Sequence, residues 1–187
     1  MGLADHLKQK EEKPKKLVFL AVACVIAVMF GATYFALGGS TSEALPSGPH
    51  LERSVVVDRV IDGDTIVIEG DEHVRLVGVD TEEKELNSYA IEKHPELEGA
   101  TEEEYEQTSY YERAMAAKSL TEDLCQSGEV WLDVDDFEPQ DGHDRTLAVV
   151  YVKVDGSWVN VNAELLRAGY ADVLFIPPSE FNPYKWR

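Results

Sequence analysis

Basic residues are scarce in this chain: Lys and Arg total 17 against 36 Asp and Glu, a net charge of −19 over 187 residues. That balance argues against a protein that grips nucleic acid by charge alone, because such binding rests on Lys and Arg neutralising phosphates. It does not exclude an enzyme that brings a metal ion to an acidic site. It also suits a surface kept soluble in a salty medium. Cysteine is nearly absent, Cys24 and Cys125 being the two present. Cys24 lies inside an apolar run, so the soluble part has a single thiol and no internal disulfide. No internal repeat is present.

Charge is missing altogether from Leu17 to Leu37, LVFLAVACVIAVMFGATYFAL. At about 1.5 Å of rise per residue this run is long enough to cross a bilayer core. Lys8, Lys10, Lys13, Lys15 and Lys16 precede it, and the first basic residue after it is Arg53. The positive-inside bias then puts the N-terminus in the cytoplasm and the remainder outside. Residues 1–16 are read as a cytoplasmic tail, 17–37 as a transmembrane anchor, 38–50 as a flexible Gly/Ser/Pro linker and 51–187 as the folded domain. A cleaved signal peptide ending near Ala36-Leu37-Gly38, giving a secreted protein, is the competing reading. The long apolar run and the acidic residues before it favour the uncleaved anchor.

Within the folded part, Ser54–Val60, Thr65–Glu69 and His73–Val79 are β-branched segments separated by turn-formers, the pattern of an antiparallel meander. Glu82 to Gln107, with Glu102-Glu103-Glu104 inside it, reads as a solvated loop. Ser109 and Glu112 form the pattern of a capping box that opens a helix closing at Gly128, with Ala114, Ala117, Leu120 and Leu124 along one face. Val130–Val134 and Thr146–Val154 alternate as strands, and Asp155-Gly156 marks a hairpin turn into Trp158-Val159. A second helix is expected from an Asn162 cap to Gly169. The order predicts an α+β domain, with a small barrel and helices on one side as its expected plan.

Four polar segments stand out against this frame. Asp62-Gly63-Asp64-Thr65 is a turn whose composition serves backbone geometry by itself. Arg75 interrupts an apolar strand that ends in Asp80, Thr81, Glu82 and Glu83. Asp141-Gly142-His143-Asp144-Arg145 leads into another apolar strand, with His143 read as a loop residue. His94-Pro95 lies in the acidic stretch. Two carboxylates from different strand ends, such as Asp64 and Asp80, can hold a hard divalent cation through oxygen. Two arginines can hold a phosphate by charge-assisted hydrogen bonds, and a further carboxylate can orient or deprotonate a water. Metal, arginines and base are the parts that phosphodiester hydrolysis needs.

Ile61–Thr65 (IDGDT), Arg75–Glu83 (RLVGVDTEE), Arg145-Thr146-Leu147-Ala148 and Val161–Ala171 (VNAELLRAGYA) occur in the order found in the staphylococcal nuclease (thermonuclease) family. The chain resembles that family from about Ser54 to Tyr184. The resemblance implies a five-stranded OB-type β-barrel with packed helices and calcium-dependent cleavage of DNA and RNA. By the same resemblance Asp64 and Asp80 are calcium ligands, with the Thr81 carbonyl a third. Glu83 is then the general base, Arg75 and Arg145 bind the scissile phosphate, and Asp62 lies near the metal without binding it. Asp64, Asp80 and Glu83 should converge, facing both arginines. No protein partner is expected, and the soluble domain should be monomeric.

The departures from the family pattern are specific. Glu82 stands where the family usually has Pro, so Glu82 and Glu83 compete for the base role, with spacing favouring Glu83. The usual Asp-x-Tyr-Gly-Arg loop is Asp141-Gly142-His143-Asp144-Arg145. Glutamates follow Lys93-His94-Pro95 where the family's substrate-side loop is often lysine-rich. The long third helix of the best-known members has no counterpart after Tyr184. A second reading therefore stands beside the nuclease: a non-catalytic OB-fold module of the same family that binds a partner.

Overall fold

The computed structural model describes residues 51–186. The tail, anchor and linker expected at 1–50 lie outside the described residues. Among those described, no helix is long and apolar enough to cross a membrane.

β1 (Arg53–Val55) and β2 (Val57–Asp62) are one extended stretch interrupted only at Val56. The first half pairs antiparallel with β6 (Glu129–Val134), and the second with β3 (Thr65–Ile68). β4 (Glu72–Leu76) continues the meander beside β3. β7 (Thr146–Val154) is the hub: it runs antiparallel to β6 and to β8 (Ser157–Asn160), and parallel to β4. The sheet order is therefore β1-β6-β7-β4-β3-β2 with β8 on β7, seven strands in all. β5 (Gly78–Thr81) and β9 (Ala171–Leu174) form a separate antiparallel pair. The mixed α+β class is thus present, but the strands are more numerous than the barrel predicted from the motifs. No single ladder of the described strands closes the ring; the two ends of the path are joined by the chain at Val56.

Three local expectations change for physical reasons. The segment expected as one strand over His73–Val79 breaks at Val77, where Gly78 takes φ +78 and turns the chain from β4 into β5. The acidic stretch is not a loop. It contains helices α1 (Ser88–Lys93) and α2 (Glu102–Tyr105), with a 3-10 turn at Pro95–Leu97 between them. Its polar surface hides three anchors, since Ala90, Leu97 and Tyr105 are all buried. The helix caps also differ from the sequence pattern. Thr108 caps α3 (Ser109–Ser127), and the true capping box is Thr101 with Glu104 on α2. Asn160 caps α4 (Val161–Arg167) by accepting from the Ala163 amide.

Asn162, released from capping, is fully buried and pins the parallel β4–β7 seam. Its Oδ1 accepts from Val150 N at 3.0 Å, and its Nδ2 donates to Val77 O at 2.8 Å and Ala148 O at 3.3 Å. These bonds satisfy backbone groups where β4 has just ended, which burial would otherwise leave costly. The Asp155-Gly156 hairpin forms as expected, both residues lying at positive φ (50 and 82), the pairing a type I′ turn needs.

The core lies inside the curled sheet and under α3 and α4, with Ile66, Val74, Leu76, Leu132, Val150, Val152 and Leu165 at its centre. α3 meets the sheet through small side chains: Ala114, Ala117, Thr121 and Cys125 are buried, while Leu120 and Leu124 flank them half-buried. Cys125 is a free thiol, and burial pushes it up to about 12, which leaves it unreactive.

The close approach of α3 explains Gly63 better than turn geometry does. A Cβ there would lie 2.5 Å from the Ala117 Cβ and 2.7 Å from the Thr81 Cγ2. The Gly63 carbonyl also accepts from the Thr121 hydroxyl at 2.7 Å, so the turn cannot back away without losing a buried bond. Gly63→Ala is therefore expected to cost about 2 kcal/mol by overpacking, read as a lowered urea midpoint with an unchanged m-value.

Candidate active site

The β2–β3 hairpin delivers Asp64, β4 delivers Arg75, and β5 delivers Asp80 and Thr81 to one buried junction. Asp62 opens the turn, its Oδ1 accepting from the Asp64 amide at 3.2 Å. This is the local bond by which Asp shapes a turn. Arg75 stands opposite Thr65 in the β3–β4 ladder, between the buried Val74 and Leu76. Strand alternation turns it to the other face.

There its guanidinium spans two carboxylates. Nη1 lies 3.0 Å from Asp64 Oδ1 and Nη2 lies 3.4 Å from Asp80 Oδ1, while Nη1 also donates to Leu76 O at 3.0 Å. Asp64 Oδ2 accepts from both Thr81 groups, the amide at 2.7 Å and the hydroxyl at 3.0 Å. Asp80 accepts from Tyr89 Oη at 3.1 Å and from Lys93 Nζ at 2.9 Å. Burial, and then the neighbouring charge of Asp64, push the Asp62 carboxyl up to about 6. Burial and the Asp80 charge likewise raise the Tyr89 hydroxyl to about 12, so it stays a donor at neutral pH.

Glu82 and Glu83, which the sequence left in competition, part company. Glu82 is 2% exposed and meets cations on both oxygens. Oε2 lies 2.8 Å from His94 Nε2 and 3.5 Å from Lys93 Nζ, and Oε1 lies 3.2 Å from Arg113 Nη1. His94 is stacked on Tyr110, with ring centroids 3.6 Å apart. Arg113 also binds Asp172 Oδ2 at 2.9 Å and Gly169 O at 3.1 Å. Glu82 is thus the hub that ties the α1 end to α3 and β9. Glu83 is half-buried, and its Oε2 accepts from Asn87 Nδ2 at 2.6 Å. The structure joins Asp64, Asp80, Thr81 and Arg75, with Asp62 beside them. It does not show Glu83 on those carboxylates.

Arg145 is paired with a carboxylate of its own loop. It immediately precedes Thr146, which pairs with Val74, so it enters beside the strand that carries Arg75. Its side chain is engaged by Asp141, with Nε and Nη2 at 2.7 and 2.6 Å from Oδ2. The Asp141 Oδ1 accepts the Arg145 and His143 amides, which closes the loop around one carboxylate. His143 itself is exposed, as a loop residue should be. Tyr89, Lys93, Arg113 and Asp172 were not foreseen as parts of the cluster. The register of β5 on β9 sets Asp80 opposite Asp172. Like charges directly opposite destabilise a sheet, so a basic residue reaching across that pair was needed.

Among the described residues, no group of three or more His, Cys, Asp and Glu side chains is arranged to hold a metal ion. The donors at the junction are nevertheless all oxygen: two buried carboxylates drawn together by one guanidinium, with the Thr81 backbone beside them. Such a set fits a hard cation that takes its remaining ligands from carbonyls, water or phosphate, and does not fit a thiolate- or imidazole-seeking metal.

A compact α+β domain with paired acids and an arginine at the ends of its strands is the class that this geometry defines. The chain belongs to the staphylococcal nuclease homologue family, whose model matches residues 73–185. A thermonuclease of Staphylococcus intermedius is 32% identical over 130 residues, which is 68% of this chain and 63% of that protein. The chain thus matches less than two thirds of that relative's length.

Proposed function

We propose that this chain is a calcium-dependent nuclease hydrolysing phosphodiester bonds of DNA and RNA, anchored by residues 17–37 with its folded domain outside the cytoplasm. The observation that carries the reading is the Arg75 guanidinium bridging Asp64 and Asp80 at buried strand ends. The bend at Val56, which lets one stretch pair at both ends of the sheet, supports an OB-type barrel as the scaffold.

Asp64, Asp80 and the Thr81 carbonyl would hold calcium, which when bound supplies positive charge against the phosphate oxygens. Arg75, already fixed by Asp64, Asp80 and Leu76 O, offers N–H groups to the charge that grows on phosphorus oxygens in the transition state. Arg145 provides the second cation when phosphate competes with Asp141 for its guanidinium. Glu83 orients and deprotonates the attacking water. Attack of water breaks the phosphorus–O5′ bond, and the departing O5′ takes up a proton, so that the products are a 3′-phosphate and a 5′-hydroxyl.

Arg75→Ala is expected to lower kcat by about 10²–10³-fold, as the loss of one preorganised transition-state donor does. Steady-state cleavage of a fluorogenic oligonucleotide measures it, and unchanged turnover would remove Arg75 from the mechanism. The second reading, a non-catalytic binding module, is favoured by one observation: Arg75 and Lys93 already balance Asp64 and Asp80 without an added cation. Partner binding with no metal-dependent cleavage of any polynucleotide is the result that selects it.

A further inference from the structure

Lys93 and Tyr89 sit one turn apart on α1 and both close on Asp80. The Lys93 ammonium is 2.9 Å from Asp80 Oδ2, 3.5 Å from Glu82 Oε2 and 3.9 Å from Asp172 Oδ2. It therefore stands among three carboxylates as their shared counter-charge, and its side chain is 20% exposed. Asp80 cannot give the same oxygen fully to an ammonium and to a divalent cation, and the two positive charges repel across a few ångströms in a poorly hydrated site.

We infer that Lys93 is a built-in competitor for the divalent cation at Asp80, so that cation binding requires its ammonium to leave that carboxylate. The inference rests on the calcium reading above and adds a regulating residue to it. In the cation-free protein Lys93 holds α1 down on the site and offsets the Asp80–Asp172 repulsion across β5 and β9. A cation at Asp80 takes over that neutralisation, and Lys93 is released toward solvent. The chain thereby has an affinity for calcium set below what its acids alone would give. Its acidic surface and this internal cation act in opposite directions on the ion.

Calorimetric titration of calcium chloride into the full-length protein tests this with Lys93→Met and Lys93→Arg. Lys93→Met keeps the apolar stem and removes the charge, and is expected to lower the calcium Kd by about 10-fold, an ordinary size for a coupling between two sites. Lys93→Arg keeps the charge and should stay near the wild-type value. A second measurement needs no variant: acetylation of Lys93 in the wild type, followed by peptide mass, should be faster with calcium than with chelator. Equal calcium affinity of wild type and Lys93→Met, or a Lys93 labelling rate that calcium leaves unchanged or slows, overturns the inference while the calcium site stands. Absence of calcium binding in every form, wild type included, overturns both.

Discussion

Glu83→Gln is expected to keep the fold and lower phosphodiester cleavage by about 10²–10⁴-fold, the range a positioned general base contributes. The amide preserves the size of the side chain and its capacity to accept from Asn87 Nδ2, which now lies at 2.6 Å from Oε2. What it loses is the ability to take a proton from water. The effect should fall on kcat with little change in KM, because the carboxylate is not a group that binds phosphate. Thermal unfolding of the variant should match the wild type, since Glu83 is half-buried and tied mainly to a neighbouring turn of chain. A variant that cleaves at the wild-type rate would move the base elsewhere, and one that unfolds would make Glu83 structural.

Glu82→Gln should do the reverse and cost stability of about 3 kcal/mol, the lower end of what breaking a buried ion pair costs. The lower end applies because two of its partners, Lys93 and Arg113, keep 20% and 30% exposure and regain some hydration. Gln cannot neutralise Lys93 and Arg113 together, and these two with His94 carry the contacts that hold α1 and β9 against α3. The loss should appear as a lower urea midpoint, with cleavage by the remaining folded protein largely kept. If Glu82→Gln were as stable as the wild type but inactive, the roles assigned to the two glutamates would be exchanged.

The two glutamates also mark how far the sequence could be read. Local patterns that serve a single purpose were legible: the Asp155-Gly156 hairpin, α3 from its small-residue face, and the order of β-branched strands. Asp64, Arg75, Asp80 and Thr81 were legible as a set because their motifs resemble those of the staphylococcal nuclease family in kind and order, and the structure brings those four together. The acidic stretch from Glu82 to Gln107 was not, because buried Ala90, Leu97 and Tyr105 are single apolar residues spaced too widely for a periodic signal. Misreading it as a loop hid α1, and with it Tyr89 and Lys93. Asn162 looked like a cap because Asn often is one; its actual partners on Val77, Ala148 and Val150 are distant in sequence and set by the sheet. The additional strands arise for a similar reason. One bend at Val56 and one break at Val77 turn long strands into pairs, and neither residue signals it.

Hydrolysis of single- and double-stranded polynucleotides by the full-length protein, titrated with calcium and then stripped by a chelator, tests the central claim most directly. The account predicts cleavage of DNA and RNA to products with 3′-phosphate ends, rising with calcium to saturation and abolished by chelation. Cleavage that persists unchanged in chelator, or no cleavage at any calcium concentration by a folded protein, would contradict it.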